Sequence, residues 1–269
     1  MIFFLLLILA IAYLFLIAPR MTGKPDASAL MDVHYAHRGL HDNKGDAPEN
    51  SLLSIRKAVE AGYGIEFDVQ LTRDRIPVVF HDESLRRVCG VEGNVRDYTY
   101  EELQAFPLLA SQERIPLLAD VLAAVDGRVP LIIEIKIHEN AAEVCAKADE
   151  LIAAYKGPYC IESFDPRAVA WYKQNRPEVI RGQLSANFNT SEKKEKFTEM
   201  LVHHLLTNVI ARPDFIAYDH HAKDNFSRVL CTKLFGALPV AWTLRSQQEL
   251  DAAKDDFDLF IFEQFIPKE

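Results

Sequence analysis

The chain predicts an α/β fold: a TIM-type (β/α)8 barrel with an insertion after the third strand, preceded by an N-terminal transmembrane helix. Three observations point there. From residue 32 onwards, short apolar runs alternate with amphipathic stretches, the pattern of a largely parallel sheet. The 269 residues suit a single barrel of ~250 residues once the apolar start is set aside. That start, MIFFLLLILAIAYLFLIA, carries no charge.

As a helix, Met1–Ala18 would measure ~27 Å, just short of the ~30 Å hydrocarbon core of a bilayer. Arg20 and Lys24 follow it and could snorkel. A cleaved signal peptide wants a basic n-region and a small-x-small site. Neither is clear here, so an uncleaved single-pass membrane anchor is expected. The basic residues lie after the helix, which places the domain in the cytoplasm by the positive-inside rule. Residues 19–31 contain Pro, Gly, Ser and Lys and read as a linker. Residues 32–269 form the barrel domain.

Within that domain the strand-like runs are 33–37, 64–71, 77–81, 130–136, 159–164, 179–184, 215–219, 239–243 and 259–263. Helical patterns fall at 51–61, 118–125, 141–155, 166–175, 191–208, 224–234 and 247–254, many opening on Ser, Asp or Pro as helix starts do. Nine strands are one more than the barrel needs. There is no room for a helix between Gln70 and Pro77, so one strand lies outside the barrel, and the sequence leaves open which. Residues 83–117 are too long for an ordinary loop and read as an insertion over the active face.

A hydrophobic share of 49% supports a sizeable core, and a net charge of −9 argues against nucleic acid as a partner, since phosphate-backbone binding wants a basic surface. A local cationic site for a small phosphorylated ligand stays compatible with it. Cys89, Cys145, Cys160 and Cys231 are widely spaced, without a C-x-x-C pair, so reduced thiols are expected.

Charged groups recur where apolar runs end. The first ends in His37-Arg38, the second carries Glu66-Phe67-Asp68, the third ends in His81-Asp82 and the fourth carries Glu134-Ile135-Lys136. The C-terminal ends of barrel strands share one mouth, where active sites form. Residues two apart on a strand point the same way, so Glu66 aims with Asp68 and Glu134 with Lys136. Each piece alone reads as a surface pair, a turn or a structural ion pair. Together they would be costly to bury unless a cation and an anionic ligand offset one another there.

The ordered set AHRG, PENS, EFDVQLTRD, PVVFHDESLRR and EIK resembles the glycerophosphodiester phosphodiesterase family, followed by ESFDP at 162–166 and AWTLRS at 241–246. The resemblance runs from about Tyr35 to Pro267. Two departures stand out: Glu263 stands where the family commonly has Asp, and Cys89 where it has Thr.

The resemblance implies a barrel that uses a divalent cation to split a glycerophosphodiester into glycerol 3-phosphate and an alcohol. Carried over by position, Glu66, Asp68 and Glu134 would hold the metal, and His37 and His81 would be the acid–base pair. Arg38 and Lys136 would hold phosphate oxygens, and Glu49 would orient the first histidine or the metal shell. The residue chemistry agrees: three carboxylates suit a hard ion, Mg²⁺ or Ca²⁺, imidazoles exchange protons near neutral pH, and Arg clamps phosphate with a planar fork where Lys acts as a point charge. Phe164 and Trp242 would line the glycerol or alcohol pocket or pack in the core. His41 reads as a loop residue, His203-His204 as packing, and His220-His221 as following a strand end. Rival readings are a phospholipase D-like enzyme acting on lysophospholipids with the same barrel, and a non-catalytic phosphodiester-binding scaffold.

Overall fold

The computed structural model describes residues 1–188 and 196–268. Nine strands form one sheet: β1 (Tyr35–His37), β2 (Gly64–Leu71), β3 (Pro77–Val79), β4 (Leu131–Ile135), β5 (Tyr159–Ser163), β6 (Arg181–Ser185), β7 (Phe215–Asp219), β8 (Leu238–Leu244) and β9 (Leu259–Phe262). Eight of them are parallel and close into a barrel, because β1 pairs with both β2 and β9. The α-helices are α1 (Ile2–Ile17), α2 (Leu52–Glu60), α3 (Arg86–Cys89), α4 (Tyr100–Leu103), α5 (Leu118–Val125), α6 (Ala141–Ile152), α7 (Pro166–Asn175), α8 (Phe197–His203), α9 (Asn208–Ala211), α10 (Phe226–Val229) and α11 (Gln247–Ala253). The start signals act as expected. Ser51 accepts from Ser54 N–H at α2, and Asp165 accepts from Arg167 N–H at α7, with Pro166 in its first turn, which satisfies amides that the helix leaves unpaired. Of the helix expected over 191–208, residues 191–195 lie outside the described residues. The rest divides into α8 and α9.

The strand outside the barrel is β3. β2 overshoots the barrel, and its Val69–Leu71 end pairs antiparallel with β3. The return between them is tied by Thr72, whose hydroxyl donates to Asp74 Oδ1 at 2.6 Å and whose N–H donates to Ile76 O. The expectation that four successive barrel strands supply the site is corrected accordingly. Three do so, and the fourth contribution arrives on a hairpin. The Phe80 amide donates to Asp68 O, which lays His81 back beside the mouth. The insertion that follows has its own core, including Phe80, Leu85, Val88, Val95 and Leu103, so it is a packed unit on the mouth side.

The opposite end of the barrel is plugged. Leu30 joins Tyr35, Ile132, Phe215, Val240 and Leu259 in one buried cluster, and Tyr35 Oη donates to Leu30 O at 2.7 Å. The stretch expected as a linker is docked across this floor: the Arg20 guanidinium reaches Pro177 O and the Lys24 ammonium reaches Gly236 O.

The expected transmembrane helix over Met1–Ala18 is not supported. Among the described residues no helix is long and apolar enough to cross a membrane. α1 has 16 residues, about 24 Å. Its last turn is spent on docking: Ile17 is fully buried, Asn208 donates to Ile17 O, and Arg212 donates to Phe15 O and Ala18 O.

Candidate active site

The first corner of the mouth is built by the turn after β1. Arg38 has φ 55° and Asn50 φ 57°, a left-handed backbone that costs a non-glycine residue ~1 kcal/mol or more. Gly39 must be glycine, since a Cβ there would stand 2.7 Å from the backbone carbon of Ser54. The turn is held by Asn50 N–H and the Ser54 hydroxyl, both donating to Arg38 O. It aims the Arg38 amide at Glu66 Oε2, 3.1 Å away. His37 lies against Glu263, with Nδ1 2.7 Å from Oε2, and its Nε2 points to Glu66 Oε2 at 3.8 Å. Burial pushes the His37 imidazole down to about 4, against the upward pull of Glu263, so the ring is neutral at pH 7. Arg245 holds the far oxygen of Glu263 at 2.7 Å.

The centre is acidic. Glu66, Asp68 and Glu134 each bring one carboxylate oxygen within 4.8 Å of the others, and all three are buried. The register explains it: Asp68 lies directly opposite Glu134 across β2 and β4. Lys136 Nζ stands 3.0 Å from Asp68 Oδ1 and 2.7 Å from Glu134 Oε2. Burial, and then the carboxylates of Asp68, Glu134 and Glu162, push Glu66 well above the ordinary range. Burial also raises Glu134, with Lys136 opposing it. Asp68 goes the other way. Burial would raise it, but Lys136, His81 and Arg38 together hold it well below the usual carboxylate range. Three buried carboxylates against Lys136 and an Arg38 that is shared with Glu49 leave an excess of negative charge. A hard divalent cation bound by oxygen fits that donor set.

The third corner comes from the hairpin and the insertion. His81 Nδ1 is 2.6 Å from Asp82 Oδ1, and Arg87 of α3 holds Asp82 from behind through Nε at 2.7 Å. The same guanidinium grips both oxygens of Glu49, at 2.7 and 2.6 Å. Glu49 also accepts from Arg38 at 2.6 Å and from Asn43 at 2.8 Å. Burial would raise Glu49, but the bonds from Arg87 and the charge of Arg38 bring it down to about 2. Glu49 was expected behind His37 or the metal shell. Its partners instead put it behind the arginine that faces the carboxylates, with Arg38 Nε 3.5 Å from Asp68 Oδ2.

Phe164 and Trp242 form a wall, with ring centroids 5.4 Å apart at 85°, and the Lys136 ammonium stands 6.0 Å from the Phe164 ring. Both rings also pack on the barrel's lower core. His41 is more than a loop residue, because its Nε2 lies 3.6 Å from Glu263 Oε2. His220 faces Glu249 at 3.6 Å, and Asp219 accepts from the His221 amide as a local cap. His203 and His204 stack with centroids 4.5 Å apart. Sequence reasoning assigned no role to Asn50, which donates to Asp68 Oδ2 at 2.8 Å, or to Arg87, Arg245 and the buried Glu162. Arg87 stands inside the motif PVVFHDESLRR, yet nothing local said that one of its partners, Glu49, lies 38 residues upstream.

A parallel barrel that gathers buried carboxylates, two histidines and two cations at its mouth is built to hold a hard cation beside an anionic ligand. Residues 37–258 match the glycerophosphoryl diester phosphodiesterase family, and the chain belongs to that family. It is 42% identical over 113 residues to a glycerophosphodiester phosphodiesterase of Bacillus altitudinis, covering 39% of this chain and 45% of that one. It is 38% identical over 161 residues to one of Caldanaerobacter subterraneus, covering 55% and 65%. The matches thus span about half to two thirds of these relatives. The fold is similar to that of an Oleispira antarctica phosphodiesterase solved with its product sn-glycerol-3-phosphate, with TM-score 0.71 and 25% identity over 88% of this chain and 94% of that one.

Proposed function

We propose that the protein hydrolyses glycerophosphodiesters to glycerol 3-phosphate and an alcohol. The observation that carries this reading is the convergence of Glu66, Asp68 and Glu134 within 4.8 Å at a mouth that also holds His37, His81, Arg38 and Lys136. Glu66, Asp68 and Glu134 would hold Mg²⁺ or Ca²⁺, which when bound supplies positive charge to polarise the phosphoryl group.

The chain's own groups do the rest. Arg38, braced by Glu49, offers its planar fork to phosphate oxygens, and Lys136 adds a point charge. Neutral His37 takes one proton of the attacking water at Nε2 as the new P–O bond forms. His81 gives its Nε2 proton to the leaving oxygen as the old P–O bond breaks, so no free alkoxide is released. Glu263 and Asp82 hold the opposite ring nitrogens and orient both imidazoles. Phe164 and Trp242 give the alcohol an apolar wall.

The test is product identification after incubation with glycerophosphocholine, glycerophosphoethanolamine and lysophosphatidylcholine, in chelator and with Mg²⁺ or Ca²⁺ restored. Glycerol 3-phosphate formed only when metal is present supports the reading. Turnover of the lysolipid alone would shift it to the phospholipase D-like alternative. No turnover of any diester in either metal, by folded protein, would leave the scaffold reading.

A further inference from the structure

The first part of α1 is apolar and exposed on every side. Exposure is 73% at Phe3, 68% at Phe4, 59% at Leu6, 57% at Leu9 and 58% at Ile11, positions that go right round the helix. A protein partner would cover one face of such a rod and leave the others in water. A helix that is apolar all round is matched only by a medium that surrounds it, and that medium is lipid hydrocarbon.

The base of the rod is fixed, and its direction can be read from its contacts. The Tyr13 hydroxyl bonds the Ser227 hydroxyl at 2.7 Å, and its ring stacks on Phe226, just past the mouth end of β7. Ile17 O accepts from the Cys231 thiol, further down the same helical segment. The Arg20 amide donates to Pro213 O, at the floor end of β7. From residue 13 to residue 20 the chain therefore descends from mouth to floor. Traced backwards, the exposed part of α1 extends beyond the mouth side. The base carries groups suited to a lipid–water boundary: Tyr13, and Arg212 lying 4.7 Å over the Phe15 ring. The rim beside it is apolar too, with Phe226 67% exposed and Phe197 71% exposed at the start of α8.

We propose that the exposed part of α1 enters a lipid surface, and that the rod holds the barrel with its mouth turned to that surface. The active site then meets its substrates at the lipid boundary. This goes beyond the proposed reaction and does not depend on it.

Two measurements test it on the full chain, neither involving catalysis. In flotation with phosphatidylcholine vesicles at high salt, the protein should rise with lipid, and the Leu6→Lys/Leu9→Lys variant should stay below with its barrel intact by circular dichroism. Wild type remaining with the variant overturns the attachment. For orientation, an environment-sensitive fluorophore is placed on Phe226→Cys at the mouth rim or on Lys156→Cys in the loop before β5 at the floor, each in a Cys89→Ser background. Nitroxide-labelled lipid should quench the label at 226 several-fold more than the label at 156. Equal quenching, or stronger quenching at 156, overturns the mouth-first orientation.

Discussion

The floor and the mouth of this barrel are built from the same strands and solve opposite problems. At the floor Leu30, Phe215, Val240 and Leu259 meet in an apolar cluster, and burial is the main term that stabilises it. A residue or two further along, β2 buries Glu66 and Asp68, and β4 buries Glu134. The turn after β1 at the mouth also holds Arg38 at positive φ, against Asn50, likewise at positive φ. Charge is buried there at a cost that the floor and the helical shell must offset. Stability and chemistry are thus separated along the barrel axis, and substitutions at the two ends should fail in different ways.

The largest effect is expected at the histidines. His37→Ala and His81→Ala should each lower kcat by ~10²–10⁴, and the double variant should be little worse than either single one, since the pair acts as a unit. Metal content by mass spectrometry and the melting temperature should stay near wild type. A single variant that keeps near wild-type kcat would make that histidine structural and turn attention to His41. Next comes Glu66→Gln, which should cost at least on the order of 10² in metal affinity, more than the 10–100-fold typical of groups one shell out. In chelator the same variant should be at least as stable as wild type, because it removes a charge that its neighbours oppose. A large destabilisation in chelator would mean that Glu66 supports the fold. Leu30→Ala inverts the pattern: about 2–4 kcal/mol of stability lost, with kcat within about twofold. Loss of kcat in folded Leu30→Ala protein would break the separation of the two ends.

The floor and the shell were legible because periodicity and helix caps are local signals, and most strand bounds moved by no more than two residues. The extra strand was countable but not assignable. Deciding that β3 leaves the barrel depends on β2 being long enough to pair with it, which is a tertiary fact. At the mouth, residue types and their order singled out Glu66, Asp68, Glu134, His37 and His81, which the structure brings together there. How Glu49 and Asp82 are tied together was not visible, since they meet on Arg87 only once the insertion folds over the hairpin. The spanning reading of α1 goes unsupported for a similar reason. Its composition is that of a spanning helix, but the sequence does not say that its last turn is committed to Asn208 and Arg212.

Arg87 is where the insertion meets the mouth, and among the mouth substitutions its own should have the smallest effect on activity. Its guanidinium bonds both oxygens of Glu49 and both of Asp82, so it braces Arg38 through one and His81 through the other. Lysine keeps the charge and loses the planar fork. If charge alone matters, Arg87→Lys should restore what Arg87→Ala loses. If geometry matters, both should lose about tenfold, the scale of a group that positions another. The substrate then tells which arm carries the loss. A nitrophenyl diester has a leaving group that needs no proton, so a defect transmitted through Asp82 to His81 should vanish on it. A defect transmitted through Glu49 to Arg38 should persist, as a raised KM, because the phosphate clamp serves every diester alike. Our expectation is the Asp82 arm: kcat reduced on natural diesters, KM little changed, and near wild-type turnover of the nitrophenyl substrate. A KM effect common to both substrates would assign Arg87 to the phosphate clamp instead.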